Sequence, residues 1–164
     1  MMRKISEKID LFNEKIGTIS SYLIIPMILI TFLVAFMRYA LDFGSIAIQE
    51  TIIYLHAFIF IIGSGFTLKD NMHVRIDIFY DSFSLNKKKI IDLYGTLLFL
   101  IPTCLVIFFT SFNYVTSSIF LLESSKEAGG LQILYVLKIY ILILPTILAL
   151  QGISELIKNS KGKY

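Results

Sequence analysis

Few residues of this 164-residue chain have the type and setting for chemistry: His56, His73, Lys138, Cys104, and the charges Arg38, Glu50 and Asp92 beside long apolar runs. Two histidines at matching depth on facing helices would ligate a haem. His56 and His73 instead lie towards opposite ends of one apolar run, which disfavours a bis-histidine cytochrome. A carboxylate buried in the membrane would couple protons in a small autonomous exporter, but Glu50 and Asp92 stand at the ends of runs. Cys104, the one cysteine, sits in an apolar stretch and reads as a small packing residue. The chain has no CxxC, HExxH, P-loop or GxSxG pattern, so neither catalysis nor a cofactor or metal site is expected.

The elements that must position these residues are membrane helices. The chain is 56% hydrophobic and 16% charged, with mean hydropathy +0.77, where soluble domains run roughly 45–50% and about 25%. Disordered, collagen-like and disulfide-scaffold classes are excluded on the same grounds. Ile16 to Met37 is free of charge for 22 residues, Thr51 to Leu68 for 18, and Leu93 to Leu122 for 30, while Ala128 to Ser154 holds only Lys138. A hydrocarbon core of about 30 Å takes roughly 20 apolar residues. Four spans are therefore expected within one membrane domain, 1–164, at about 16–40, 48–68, 90–112 and 132–157, with the Ser/Thr-containing stretch after 112 at the surface. Continuous runs lack the alternation of barrel strands, so the predicted fold is an all-α integral membrane protein. Pro26, Pro102 and Pro145 fall inside spans and predict kinks.

Orientation follows from the basic residues. Arg3, Lys4, Lys8 and Lys15 in the N-terminal tail, Lys69, Arg75, Lys87, Lys88 and Lys89 in the middle loop, and Lys158, Lys161 and Lys163 in the C-terminal tail are 12 of 15. Four spans put all three segments on one side, so both termini are expected in the cytoplasm. The charge serves membrane orientation and suggests no nucleic-acid partner.

Two amphipathic segments are expected to lie on the membrane surface. Ile5, Ile9, Phe12 and Ile16 recur at helical spacing among charged residues, giving an interfacial helix at about 3–15. Ile76, Phe79, Tyr80 and Phe83 repeat the pattern in the middle loop. Of the charges nearest the membrane, Lys138 is expected to snorkel outward and His56 to pack. Arg38 and Asp42, one helical turn apart, either pair with each other or meet another subunit. Gly63 and Gly65 allow close helix approach at one end of the second span.

One stretch is more specific. Ser45-Ile46-Ala47-Ile48-Gln49-Glu50 opens the second span, which closes on Gly63-Ser64-Gly65-Phe66-Thr67-Leu68-Lys69 and continues as Asp70-Asn71-Met72-His73-Val74-Arg75-Ile76-Asp77. A second block runs Leu122-Glu123-Ser124-Ser125-Lys126-Glu127-Ala128-Gly129-Gly130-Leu131, with Leu137-Lys138 and Leu150-Gln151-Gly152-Ile153-Ser154-Glu155-Leu156 beyond it. With Arg38-Tyr39, this order closely resembles the DctQ-like small membrane subunit of tripartite ATP-independent periplasmic (TRAP) transporters, of the mannitol/chloroaromatic compound type. Relatives often carry Trp after the span-two glutamate, where this chain has Thr51-Ile52-Ile53-Tyr54.

The resemblance implies a multi-pass inner-membrane subunit that scaffolds a large membrane subunit holding the substrate and sodium sites. A periplasmic solute-binding protein would deliver an organic acid-like solute, and membrane lipid would surround the bundle. Arg38, Glu50, Gly63, Gly65, His73, Arg75 and Asp77 are the resulting interface or structural candidates. The rival is a haem- or quinone-binding anchor of a respiratory enzyme, with His56 and Arg38 as ligands.

Overall fold

The computed structural model describes residues 2–70, 72, 80 and 82–160. Every element among them is helical: α1 (Met2–Tyr22), α2 (Ile24–Ala40), α3 (Ile46–Lys69), α4 (Leu85–Gly95), a π-helical turn (Thr96–Leu100), α5 (Ile101–Phe120) and α6 (Leu134–Ser160). Four stretches are long and apolar enough to cross a membrane: Arg3–Ala40, Ile46–Lys69, Lys87–Phe120 and Leu134–Asn159. The amphipathic segment expected around 76–83 falls mostly outside the described residues, as do His73, Arg75 and Asp77.

Proline decides where the long stretches are interrupted. Pro26 has no N–H to return to the Tyr22 carbonyl, so the chain tightens at Leu23, whose N–H bonds the Ser20 carbonyl at 3.0 Å, and α2 begins with Pro26 in its first turn. Pro102 similarly leaves a carbonyl without its partner. The ladder answers with the π-turn, closed by the Ile101 N–H on the Thr96 carbonyl. Helix α6 runs through Pro145 uninterrupted.

The helix that carries the third expected span continues past residue 112, to Phe120. Thr110 and Thr116 fold their hydroxyls back onto the carbonyls four residues earlier, at 2.7 and 2.9 Å, so these polar side chains need no water.

Helix α6 is the hub, packing against α1, α3, α5 and the π-turn. Close approach rests on small residues. A Cβ on Gly152 would lie 2.9 Å from Leu100 of the π-turn, and one on Gly17 of α1 would lie 2.8 Å from Phe66 of α3. At Gly65 a Cβ would drive into Ile147 of α6 and come within 3.3 Å of Asn13 Oδ1, whereas at Gly63 it would meet nothing within 4 Å. The close approach expected of both glycines is therefore made by Gly65 alone within this chain.

The fully apolar core is small: Ile62, Cys104, Val115 and Ile147 are buried. Only 6% of the most apolar stretch of α1–α2 and 22% of that of α6 is buried. Surface of that extent needs lipid or protein against it.

Overpacking a tight helix contact costs about 1–3 kcal/mol. Gly65→Ala is expected to lower the melting temperature of the detergent-solubilised chain, while Gly63→Ala leaves it within the small range of surface changes. Equal melting of the two variants would show that the α3–α6 contact does not depend on Gly65.

Candidate functional site

The charged and polar side chains collect at the two ends of the bundle. At the end where α1 begins and α6 finishes, Ser6, Asp10, Asn13, Gly17 and Ser20 of α1 repeat at intervals of four and three, which puts them on one face. That face packs against α3 and α6. Ser6, Asn13, Gly17 and Ser20 are buried, as are Gln151, Ser154 and Glu155 of α6.

Asn13 Nδ2 donates to Gln151 Oε1 at 2.7 Å, and Gln151 Nε2 donates to Asp10 at 3.0 Å and Glu155 at 3.2 Å. The Ser154 hydroxyl donates to Asp10 at 2.7 Å and lies 2.8 Å from the Ser6 hydroxyl. Lys158 pairs with Asp10 at 2.5 Å and Glu155 at 2.7 Å, and Lys69 of α3 pairs with Glu14 at 2.9 Å. These bonds leave few buried donors unmet. That matters because an unsatisfied buried polar group costs about 1–3 kcal/mol.

At the opposite end, Glu50 in the early part of α3 reaches across to the loop between α5 and α6. Its carboxylate accepts the Ser125 hydroxyl and, at 2.6 Å, the Leu131 N–H. The loop is closed by Ser125 N–H on the Leu131 carbonyl at 2.9 Å, and it turns through Gly129, whose φ of 80° favours glycine. Gly130 has no room for a side chain, since a Cβ would lie 2.8 Å from Glu50 Oε1.

Beside this loop Glu123 accepts the ammonium of Lys138 and, at 2.7 Å, the Ser118 hydroxyl. Lys138 Nζ also stands 4.1 Å from the centre of the Tyr114 ring. Glu123, Lys138 and Tyr114 line a cleft of 550 Å³ with Lys126, Leu134, Leu137 and Ile141. Lys138 thus has protein partners for its charge, a carboxylate and an aromatic face within reach.

The remaining candidates stay apart. Arg38 is exposed near the end of α2 and has no ion pair among the described residues, so it does not pair with Asp42, which follows the helix at φ 50°. His56 is exposed on α3, not packed. Asp92, on α4, accepts the Tyr80 hydroxyl at 2.7 Å. Glu50 and Gly65 are the sequence candidates that structure the bundle. The Asn13–Gln151 seam carries comparable structure without having been a candidate, and Lys138 does so through a partner, Glu123, that its own position did not suggest. The seam's signal was the small-and-polar repeat at 6, 10, 13, 17 and 20.

Four apolar spans tied together by polar groups at their ends make a compact membrane subunit, with no cluster of three or more metal-binding side chains among the described residues. The family model for tripartite ATP-independent periplasmic transporters, DctQ component, matches residues 27–162, and the chain belongs to that family. It is a multi-pass inner-membrane component of a transporter built with a large membrane subunit and a periplasmic binding protein. No curated protein matches the chain, and no solved structure does. A haem or quinone anchor gains no support from this match.

Lys138 first, and Ser118 second, hold the Glu123 carboxyl below its ordinary value of 4.5. A depressed carboxyl contributes stability above its unfolded value and loses it as acid protonates the folded form. Melting temperature measured from neutral pH downward should therefore begin to fall as the pH enters the ordinary glutamate range and level off once the folded-state carboxyl is protonated as well. Glu123→Gln should lower it at neutral pH and flatten that acid limb. An unchanged acid limb in the variant would remove Glu123 as its source.

Proposed function

We propose that this chain scaffolds the large membrane subunit, which carries the substrate and sodium sites and takes up an organic acid-like solute delivered by the periplasmic binding protein. The observation that carries the scaffold role is the commitment of its acids. Asp10 and Glu14 bond basic residues of other helices, Glu50 bonds the α5–α6 loop, Glu123 bonds Lys138, and Asp92 accepts from Tyr80. Carboxylates engaged in holding elements together serve architecture better than ion passage.

Arg38 and Gly63, which this chain leaves open, are proposed contacts with the large subunit, together with His73, Arg75 and Asp77 of the middle loop. Glu50 and Gly65 are proposed to act within the chain by keeping that contact surface in shape. The mannitol/chloroaromatic subgroup remains the proposed placement within the family, supported by the Glu50 and Leu122–Leu131 blocks.

The basic asymmetry supports placing both termini and the middle loop in the cytoplasm and the α5–α6 loop in the periplasm. In a Cys104→Ala background, Lys126→Cys should react with a membrane-impermeant maleimide added outside spheroplasts. Lys4→Cys, on exposed α1, should react only after permeabilisation. The reverse pattern would overturn the orientation.

The scaffold role is tested by reconstitution. Proteoliposomes holding this chain alone should show no sodium-driven solute uptake, and adding the large subunit and binding protein should restore it. Uptake by the chain alone would end the scaffold reading.

A further inference from the structure

Helix α1 has three faces. The first, from Ser6 to Ser20, is spent on the bundle. The second is apolar and outward: Ile5, Phe12 and Ile19 are 43%, 53% and 63% exposed. The third holds Lys4, Lys8 and Lys15, all exposed. At 3.6 residues per turn these lysines fall within a sector of about 40°, immediately beside the Ile5–Phe12–Ile19 stripe.

The acids of the helix do not offset this row. Glu7 is bonded by Arg3 at 3.1 Å, Asp10 by Lys158 at 2.5 Å and Glu14 by Lys69 at 2.9 Å. Lys4, Lys8 and Lys15 have no ion pair among the described residues. The helix therefore presents an unneutralised cationic row along the border of an apolar stripe.

Length sets where that border lies. The 38 residues of Arg3–Ala40 span about 57 Å as helix, against a hydrocarbon core of about 30 Å. The Glu14–Lys69 pair sets residue 14 level with the end of α3. Residues 3–15 thus run at the boundary of the apolar region, where an ammonium on a flexible stem reaches headgroups while its neighbouring apolar side chains reach acyl chains.

We propose that Lys4, Lys8 and Lys15 form a binding row for the headgroups of anionic phospholipids, with Ile5, Phe12 and Ile19 seated in the acyl layer beside them. Charge complementarity between the row and an anionic leaflet selects this occupant, and the adjoining apolar stripe selects a lipid over a free anion. The site goes beyond the scaffold role, and its test gives a result whether or not that role holds.

The full-length chain in a neutral detergent is titrated with phosphatidylglycerol or phosphatidylcholine, and bound lipid is counted by native mass spectrometry. The parent should retain phosphatidylglycerol preferentially. The triple variant Lys4→Gln, Lys8→Gln, Lys15→Gln should bind it more weakly by on the order of a hundredfold, at the per-lysine contribution expected near an anionic surface. The triple Lys→Arg variant keeps the charge and should bind like the parent, which separates lost charge from lost folding. Undiminished phosphatidylglycerol in the Gln variant, or equal retention of phosphatidylcholine by the parent, would overturn the proposal. So would displacement of the lipid by inorganic phosphate at equal concentration. A Gln variant that keeps phosphatidylglycerol but no longer co-purifies with the large subunit would make the row a protein contact instead.

Discussion

A side-chain amide buried against hydrocarbon has only other protein groups to bond, and this bundle is organised around that constraint. The Asn13 amide donates to the Gln151 carbonyl oxygen, and Gln151 spends both of its own amide hydrogens on Asp10 and Glu155, which leaves only Asn13 Oδ1 of the two amides without a partner among the described residues. The bonds need α1 and α6 to touch closely, and Gly65 of α3 leaves the room for Ile147 and Asn13 to come together. A hydrophobic seam could slide by a turn at little cost, since lipid is as apolar as leucine. This polar seam fixes one register, because a shift strands several buried groups at once.

That logic explains which parts of α1 can be read from its residues. The repeat of Ile5, Ile9, Phe12 and Ile16 marks an amphipathic helix, and a helix is found there. The habit carried over from soluble proteins is to watch the apolar stripe and treat the polar remainder as solvated. In a membrane bundle the packed stripe is small and polar, and Ser6-Asp10-Asn13-Gly17-Ser20 has the same spacing as the isoleucines beside it. The four spans were legible because an uncharged run long enough to cross has few other uses. The length of the helices was less so: α5 continues to Phe120 with the hydroxyls of Thr110 and Thr116 bonded to their own helix.

At the other end the residues were visible and their partnerships were not. Glu50 and the block Leu122–Leu131 stand out in the chain as separate pieces, the two partners of Glu50 lying 75 and 81 positions after it. Only folding α3 beside the α5–α6 loop shows that one carboxylate holds that loop. Lys138 taken alone suggests a snorkelling side chain, since a solitary lysine in an apolar run has water as its nearest relief. Glu123 lies fifteen residues earlier and reaches it because the loop doubles back through Gly129.

The placement of these groups also accounts for how little apolar core the subunit needs. Ion pairs are least costly near the ends of a span, where water and headgroups soften desolvation, and Lys69–Glu14, Lys158–Asp10 and Lys138–Glu123 all stand there. With both ends fastened by charge and hydrogen bonds, the middle needs only close contacts such as Gly17 on Phe66 and Gly152 on Leu100 to keep the helices together. Long apolar side chains are thereby released from core duty, and Phe32, Phe36, Phe99 and Phe109 turn outward from α2, the π-turn and α5. A frame closed at its ends and apolar across its outer middle holds its shape while offering that surface to a membrane neighbour, because van der Waals fit drives helix association there.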